Sequence, residues 1–119
     1  MAYSKSAAMN FDEYQKLSDQ TADFSGRPGE HPLMYSCMGL AGEVGELIEK
    51  IKKVVRNDMG KISEEKRELI KLEIGDVLWY LSQVARFTGI SLQDAAEANV
   101  KKLADRRERG VIRSEGDTR

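Results

Sequence analysis

Two stretches of this chain combine a helical apolar period with a pair of acids three residues apart, and this constrains the fold more than any other feature. In Gly39-Leu-Ala-Gly-Glu43-Val-Gly-Glu46-Leu-Ile-Glu-Lys-Ile51, the apolar residues Leu40, Val44, Leu47, Ile48 and Ile51 recur at intervals that fit an amphipathic helix. Glu43 and Glu46 then share one face, a turn apart. The second stretch, Leu72-Glu73-Ile-Gly75-Asp76-Val77, repeats the design: an i, i+3 carboxylate pair with a glycine between. A glycine inside a helix costs about 1 kcal/mol against alanine. Gly42 and Gly45 around the first pair therefore predict that a ligand or a neighbouring helix approaches the backbone there. Two such helices side by side present four carboxylates to one point.

The rest of the chain reads as more helix. Asn10 with Glu13 three residues on resembles a capping box, and Phe11, Tyr14 and Leu17 mark one face of a first helix ending near Ala22 or Phe24. Two prolines and two glycines between Ser25 and Pro32 form a break. A second helix runs from about Leu33 to Arg56, stopped at Asn57-Asp-Met-Gly60. Ser63 caps a third, with Glu64 and Glu65 in its first turn. Its apolar stripe of Leu69, Leu72, Ile74, Val77, Leu78, Leu81 and Val84 reaches about Phe87, and Gly89 reads as the residue beyond its C-cap. Ser91 caps a fourth, through Leu92, Ala95, Ala96, Val100 and Leu103 to about Arg107. No segment alternates as a strand. The fold class is all-α with four main helices, in a single domain over residues 1–109 with a flexible tail at 110–119; 119 residues are too few for two comfortable domains. The apolar stripes are wide for so small a bundle, which predicts that a second subunit completes it, as a homodimer or homotetramer.

Several function classes are disfavoured. A net charge of −1 gives no electrostatic case for nucleic acid or an anionic membrane surface. The apolar runs fall far short of the ~20 residues that span a bilayer, and no secretory leader opens the chain. The single Cys37 fits a reducing compartment, so a cytoplasmic location is expected. One histidine, His31, leaves the usual nitrogen-rich zinc and di-iron ligand sets out of reach within one chain. His31 sits where a loop or cap residue would. Trp79, turned away from Asp76, reads as core or interface, while Tyr14 and Gln15 could line a base pocket.

At about 100° per residue, with Glu43 at zero, Glu46 falls near 300°, Lys50 near 340° and Lys53 near 280°. With Glu73 at zero, Asp76 falls near 300° and Tyr80 near 340° on the third helix. Both acid pairs border the apolar stripe. Inward-facing carboxylates repel one another and raise their own proton affinity unless a cation neutralises them. Oxygen-only ligands suit a hard divalent ion, Mg²⁺ or Mn²⁺, which completes its shell with water and substrate phosphates. Exposed Glu pairs are also ordinary surface charge, so a non-enzymatic helical interaction module is the competing reading.

Glu-x-x-Glu followed by Glu-x-x-Asp, with Gly-Leu-Ala-Gly-Glu-Val-Gly-Glu-Leu around the first pair and Val-Leu-Trp-Tyr after the second, resembles the all-α nucleoside triphosphate pyrophosphohydrolases of the MazG-like superfamily. The 26 residues from Leu47 to Leu72 place the two pairs near the long end of that superfamily's spacing. The resemblance covers roughly Leu33 to Arg107 and the tail. It implies a four-helix MazG-like bundle and Mg²⁺-dependent cleavage of an NTP or dNTP between the α- and β-phosphates, giving the monophosphate and pyrophosphate. A house-cleaning role or a base-restricted enzyme of the dUTP type would fit the same fold. Glu43, Glu46, Glu73 and Asp76 are then the metal ligands, with Glu43 or Glu46 also the general base. Asn99, Lys102 and Arg106 share one stripe of the fourth helix, where that superfamily commonly places substrate contacts. Lys53, in the sector of Glu46, is a further candidate for the phosphates. The Gly-Asp-Thr-Arg ending at 116–119 resembles an arm that folds over substrate in one subgroup.

Overall fold

A computed structural model describes residues 8–23 and 31–110 of the chain. It contains α1 (Phe11–Gln20), α2 (Pro32–Asp58), α3 (Glu64–Phe87) and α4 (Leu92–Glu108), and among the described residues no strand. The all-α, four-helix expectation holds. Most of the Pro/Gly break, at 24–30, and the Gly-Asp-Thr-Arg ending lie outside the described residues. No helix among those described is long and apolar enough to cross a membrane.

Three of the four starts are set by the caps legible in the sequence. Asn10 Oδ1 accepts from the Glu13 amide at 2.9 Å, Ser63 Oγ from Lys66 at 3.2 Å, and Ser91 Oγ from Asp94 at 3.1 Å. Each satisfies one of the amides that a helix start leaves without an internal partner. The fourth differs slightly: α2 begins one residue early because Pro32 occupies its first turn, where a missing N–H costs nothing, and His31 is its N-cap. Helix α1 ends at Gln20, short of Ala22 or Phe24, as Thr21 turns its hydroxyl back onto the Ser18 carbonyl at 2.9 Å. Helix α2 runs to Asp58, where Met59 (φ 55°) and Gly60 (φ 79°) both turn left-handed. At the end of α3, Gly89 (φ 72°) lets its own amide reach the Arg86 carbonyl, and that of Ile90 reach Ala85, closing a Schellman motif.

Helices α2 and α3 form an antiparallel hairpin: contacts run Gly39 to Tyr80, Glu43 to Asp76 and Lys50 to Glu73, one index rising as the other falls. The close approach sits at Gly39, where a Cβ would overlap the Tyr80 ring. Within the chain no neighbouring helix meets Gly42 or Gly45, whose Cβ positions, like that of Gly75, have no atom within 4 Å. Those glycines face away from the partner helix.

Helix α1 is joined to the α3–α4 elbow largely by polar contacts. Ser18 and Ser82 hydroxyls meet at 2.8 Å, Gln83 Nε2 donates to Asp19 at 3.2 Å, and Trp79 Nε1 donates to Thr21 Oγ1 at 2.8 Å. The Gln15 amide donates to the Ile90 carbonyl at 3.1 Å and accepts from the Leu92 amide at 3.0 Å, clamping the turn between α3 and α4. Gln15 and Trp79 therefore have structural duties. The largest fully buried side chains are Gln83, Ser36 and Ser82, while Met38 is 69% exposed and Val55 64%. Among the described apolar residues only Val54, Ala85 and Leu92 are buried. Soluble monomers normally show the reverse order of burial.

Gly39→Ala should force the Tyr80 ring aside and cost about 1–3 kcal/mol in urea denaturation. Gly75→Ala, with open space around it, should gain about 1 kcal/mol from helix propensity in the same titration.

Candidate metal centre

The mutual face of the α2–α3 hairpin carries the acids. One carboxylate oxygen each from Glu43, Glu73 and Asp76 lies within 4.8 Å of the other two. Glu43 is half-buried, Glu73 is 9% exposed, and Asp76 is exposed at the mouth. Helical periodicity brings Glu73 and Asp76 onto one face of α3, and the antiparallel register set by Gly39 and Tyr80 carries Glu43 across from them. Glu46, one turn further along α2, is exposed and stands outside this trio, yet its charge is felt at Glu43.

The trio is under electrostatic tension. Burial raises the proton affinity of Glu43 above the ordinary carboxylate range, and the charges of Glu46, Asp76 and Glu73 raise it further. Oε2 of Glu43 and Oε2 of Glu73 are both buried without a hydrogen-bond partner, and a buried acceptor left unpaired is costly. One cation of the chain's own enters the group: Lys50 Nζ stands 3.3 Å from Glu73 Oε1. A hard divalent ion fits this donor set, because it would take the two orphaned oxygens as ligands and cancel the repulsion.

Tyrosines line the rest. The Tyr80 hydroxyl, in contact with that of Tyr35, is driven to higher pKa by burial first, then by Tyr35 and by the negative charges of Glu43 and Asp76. Tyr14 of α1 is raised likewise by burial and by Asp76. Both therefore stay protonated donors beside the acids. The helical angles place Tyr80 and Lys50 in the carboxylate sector, so angle arithmetic marks both; the reach of Tyr14 from α1 depends on tertiary packing and leaves no mark in the sequence.

The basic candidates separate. Lys53 projects from the same face of α2 toward the α2–α3 loop, lining a cavity with Lys50 and Lys66. Asn99 and Lys102 are exposed on α4, which packs mainly against α1, and no hydrogen bond or ion pair among the described residues joins them to the acids. Arg106, on the same stripe, is only 6% exposed. His31 serves as a cap, its Nδ1 accepting from the Met34 amide at 3.5 Å.

Comparison with known proteins shows the family. The MazG nucleotide pyrophosphohydrolase domain family matches residues 35–111, which contain both carboxylate pairs and all of α3 and α4. The Gene 37 protein of Mycobacterium phage L5 is 39% identical over 114 residues, covering 93% of this chain and all of that protein. No solved structure matches.

Substituting Glu43→Gln removes one member of the repelling trio. Its folded-state pKa is raised, so ionised Glu43 opposes folding above that pKa, and the opposition fades as pH falls through it. Glu43→Gln should therefore raise the metal-free melting temperature at pH 7.5 and narrow the gain that the wild type shows on mild acidification, read by circular dichroism.

Proposed function

Since the chain belongs to the MazG nucleotide pyrophosphohydrolase domain family, we propose that it hydrolyses nucleoside triphosphates, ribo or deoxy, to the monophosphate and pyrophosphate with Mg²⁺ at the α2–α3 carboxylates. The observation that carries this reading is the convergence of Glu43, Glu73 and Asp76, two of them with an orphaned buried oxygen. Mn²⁺ would substitute, since its preference for oxygen ligands is similar. Glu46 completes the ligand set at the rim.

A bound divalent ion supplies neutralisation of the phosphate oxygens and a more acidic water. The chain's own groups do the rest. Glu43, Glu73 and Asp76 fix where the phosphates are held. Glu46, outside the compact trio and facing solvent, takes the proton from the attacking water. Tyr80 and Tyr14 stay protonated next to the acids and offer hydroxyl donors to oxygens that gain charge. Water adds to the α-phosphorus, the α–β bridging bond breaks, and its electron pair leaves with pyrophosphate.

Two further features support a symmetric assembly, a homodimer or a dimer of dimers. The outer face of α2 displays Met34, Met38, Ile48 and Val55 exposed, with Gly45 among them leaving room for a close neighbour. A second copy of the same helix is self-complementary to such a stripe. It would also supply the route by which Asn99, Lys102 and Arg106 of one chain reach the phosphates held by another. The free, exposed Cys37 fits a cytoplasmic setting.

Anion-exchange analysis of NTP and dNTP reactions should show monophosphate and pyrophosphate, abolished by EDTA. Glu46→Gln and Asp76→Asn should each lower kcat/KM by about 100-fold or more; full magnesium-dependent turnover by either variant contradicts the assignment. Ile48→Glu should convert the assembly to monomer in light scattering, and an unchanged mass would place the interface elsewhere.

A further inference from the structure

The hairpin face that carries the acids continues into a second feature of opposite charge. Toward the α2–α3 loop lies a cavity of about 180 Å³ lined by Lys50, Lys53 and Val54 from α2 and by Lys66, Leu69 and Ile70 from α3. Counted from Glu43, Lys50 falls at about 340°, Lys53 at 280° and Val54 at 20°; from Glu73, Lys66 falls at about 20°. The lysines therefore lie on the same side of the hairpin as the carboxylates, Lys50 and Lys66 half-buried and Lys53 exposed at the rim. Its floor is apolar, with Val54 only 3% exposed, and an apolar floor strengthens the field of charges set into it.

Three lysines line this one cavity, and their compensation by acids is incomplete. Lys50 pairs with Glu73 at 3.3 Å. Neither Lys53 nor Lys66 forms a salt bridge among the described residues, whereas Lys52 and Lys71, on the outward faces, pair with Glu49 and Glu68 at 2.9 and 2.7 Å. Lys50 is the link between the two halves of the groove, because its partner Glu73 also belongs to the acid trio. A divalent ion on Glu73 would displace the ammonium and free Lys50 to turn to the cavity.

We infer that the Lys50–Lys53–Lys66 cavity receives the β- and γ-phosphates of the substrate and holds them as the pyrophosphate leaving group, with Lys50 exchanging Glu73 for phosphate when the metal site fills. The inference rests on the pyrophosphohydrolase reading and extends it to residues outside the carboxylate motif. When the α–β bond breaks, the bridging oxygen keeps the electron pair and pyrophosphate gains negative charge. Ammonium groups on the same face of the hairpin offset that charge and need donate no proton permanently. The same contacts make pyrophosphate the product held by the enzyme's lysines, and the monophosphate the product that is not.

The test is calorimetric titration of inorganic pyrophosphate with Mg²⁺ into the full chain, beside a nucleoside monophosphate under the same conditions. Lys53→Gln and Lys66→Gln should each weaken pyrophosphate by about tenfold, the loss of one charge-assisted contact, with monophosphate affinity unchanged. Lys71→Gln, an outward lysine, should change neither. Unchanged melting curves would show that the variants fold. No pyrophosphate binding by the wild type overturns the inference, as does equal affinity in the Lys53→Gln/Lys66→Gln double variant or equal weakening by Lys71→Gln. Nucleotide turnover is read separately. A chain that binds pyrophosphate through these lysines but hydrolyses no triphosphate overturns the activity alone; one that hydrolyses while pyrophosphate ignores the lysines overturns the cavity alone.

Discussion

Repulsion among Glu43, Glu73 and Asp76 is the interaction on which the rest of the molecule turns. Three carboxylates within 4.8 Å of one another, two with an orphaned buried oxygen, are a poor way to stabilise a hairpin. The fold tolerates them because the register is fixed elsewhere, by the Tyr80 ring seated on Gly39 and by the polar contacts that tie α1 to α3. Lys50 relieves part of the strain from within the chain. A bound cation would relieve the remainder, which would make metal affinity and metal-free instability two sides of one arrangement.

A second imbalance lies on the outside. The fully buried side chains are polar and the exposed faces of α2 and α3 are rich in Met, Ile, Val and Leu. Apolar surface on both sides of a hairpin cannot be covered by two short flanking helices. The exposed stripe and the open space at Gly45 would find a common explanation in the proposed assembly. On the proposed reading the metal site would occupy the inner face of the hairpin and the subunit contact its outer face, so the two duties would not compete for the same residues.

Much of this was legible in the sequence because helices advertise themselves locally. Asn10, Ser63 and Ser91 are caps whose side chains act within three residues, and Gly89 ends α3 through its own left-handed backbone. The i, i+3 spacing of each acid pair already places it on one face. Glu43, Glu73 and Asp76 meet accordingly, while Glu46 stands at the rim. What was not legible depends on contacts between distant segments. The glycine on which the α2–α3 packing within the chain depends is Gly39 and not Gly42 or Gly45, and only the position of Tyr80 decides between them. Gln15 and Trp79 find partners more than fifty residues away. Helical angles set Lys50 beside the acids, but its exchange partner Glu73 lies on the other helix.

The measurement closest to the central claim is Mn²⁺ binding to the nucleotide-free chain by electron paramagnetic resonance. The expected result is saturable binding that Mg²⁺ competes away and that Glu73→Gln removes, with the ion seated among carboxylates that otherwise repel. Absence of saturable binding, or binding indifferent to Glu73→Gln, would contradict it and leave the acids as surface charge on a helical interaction module.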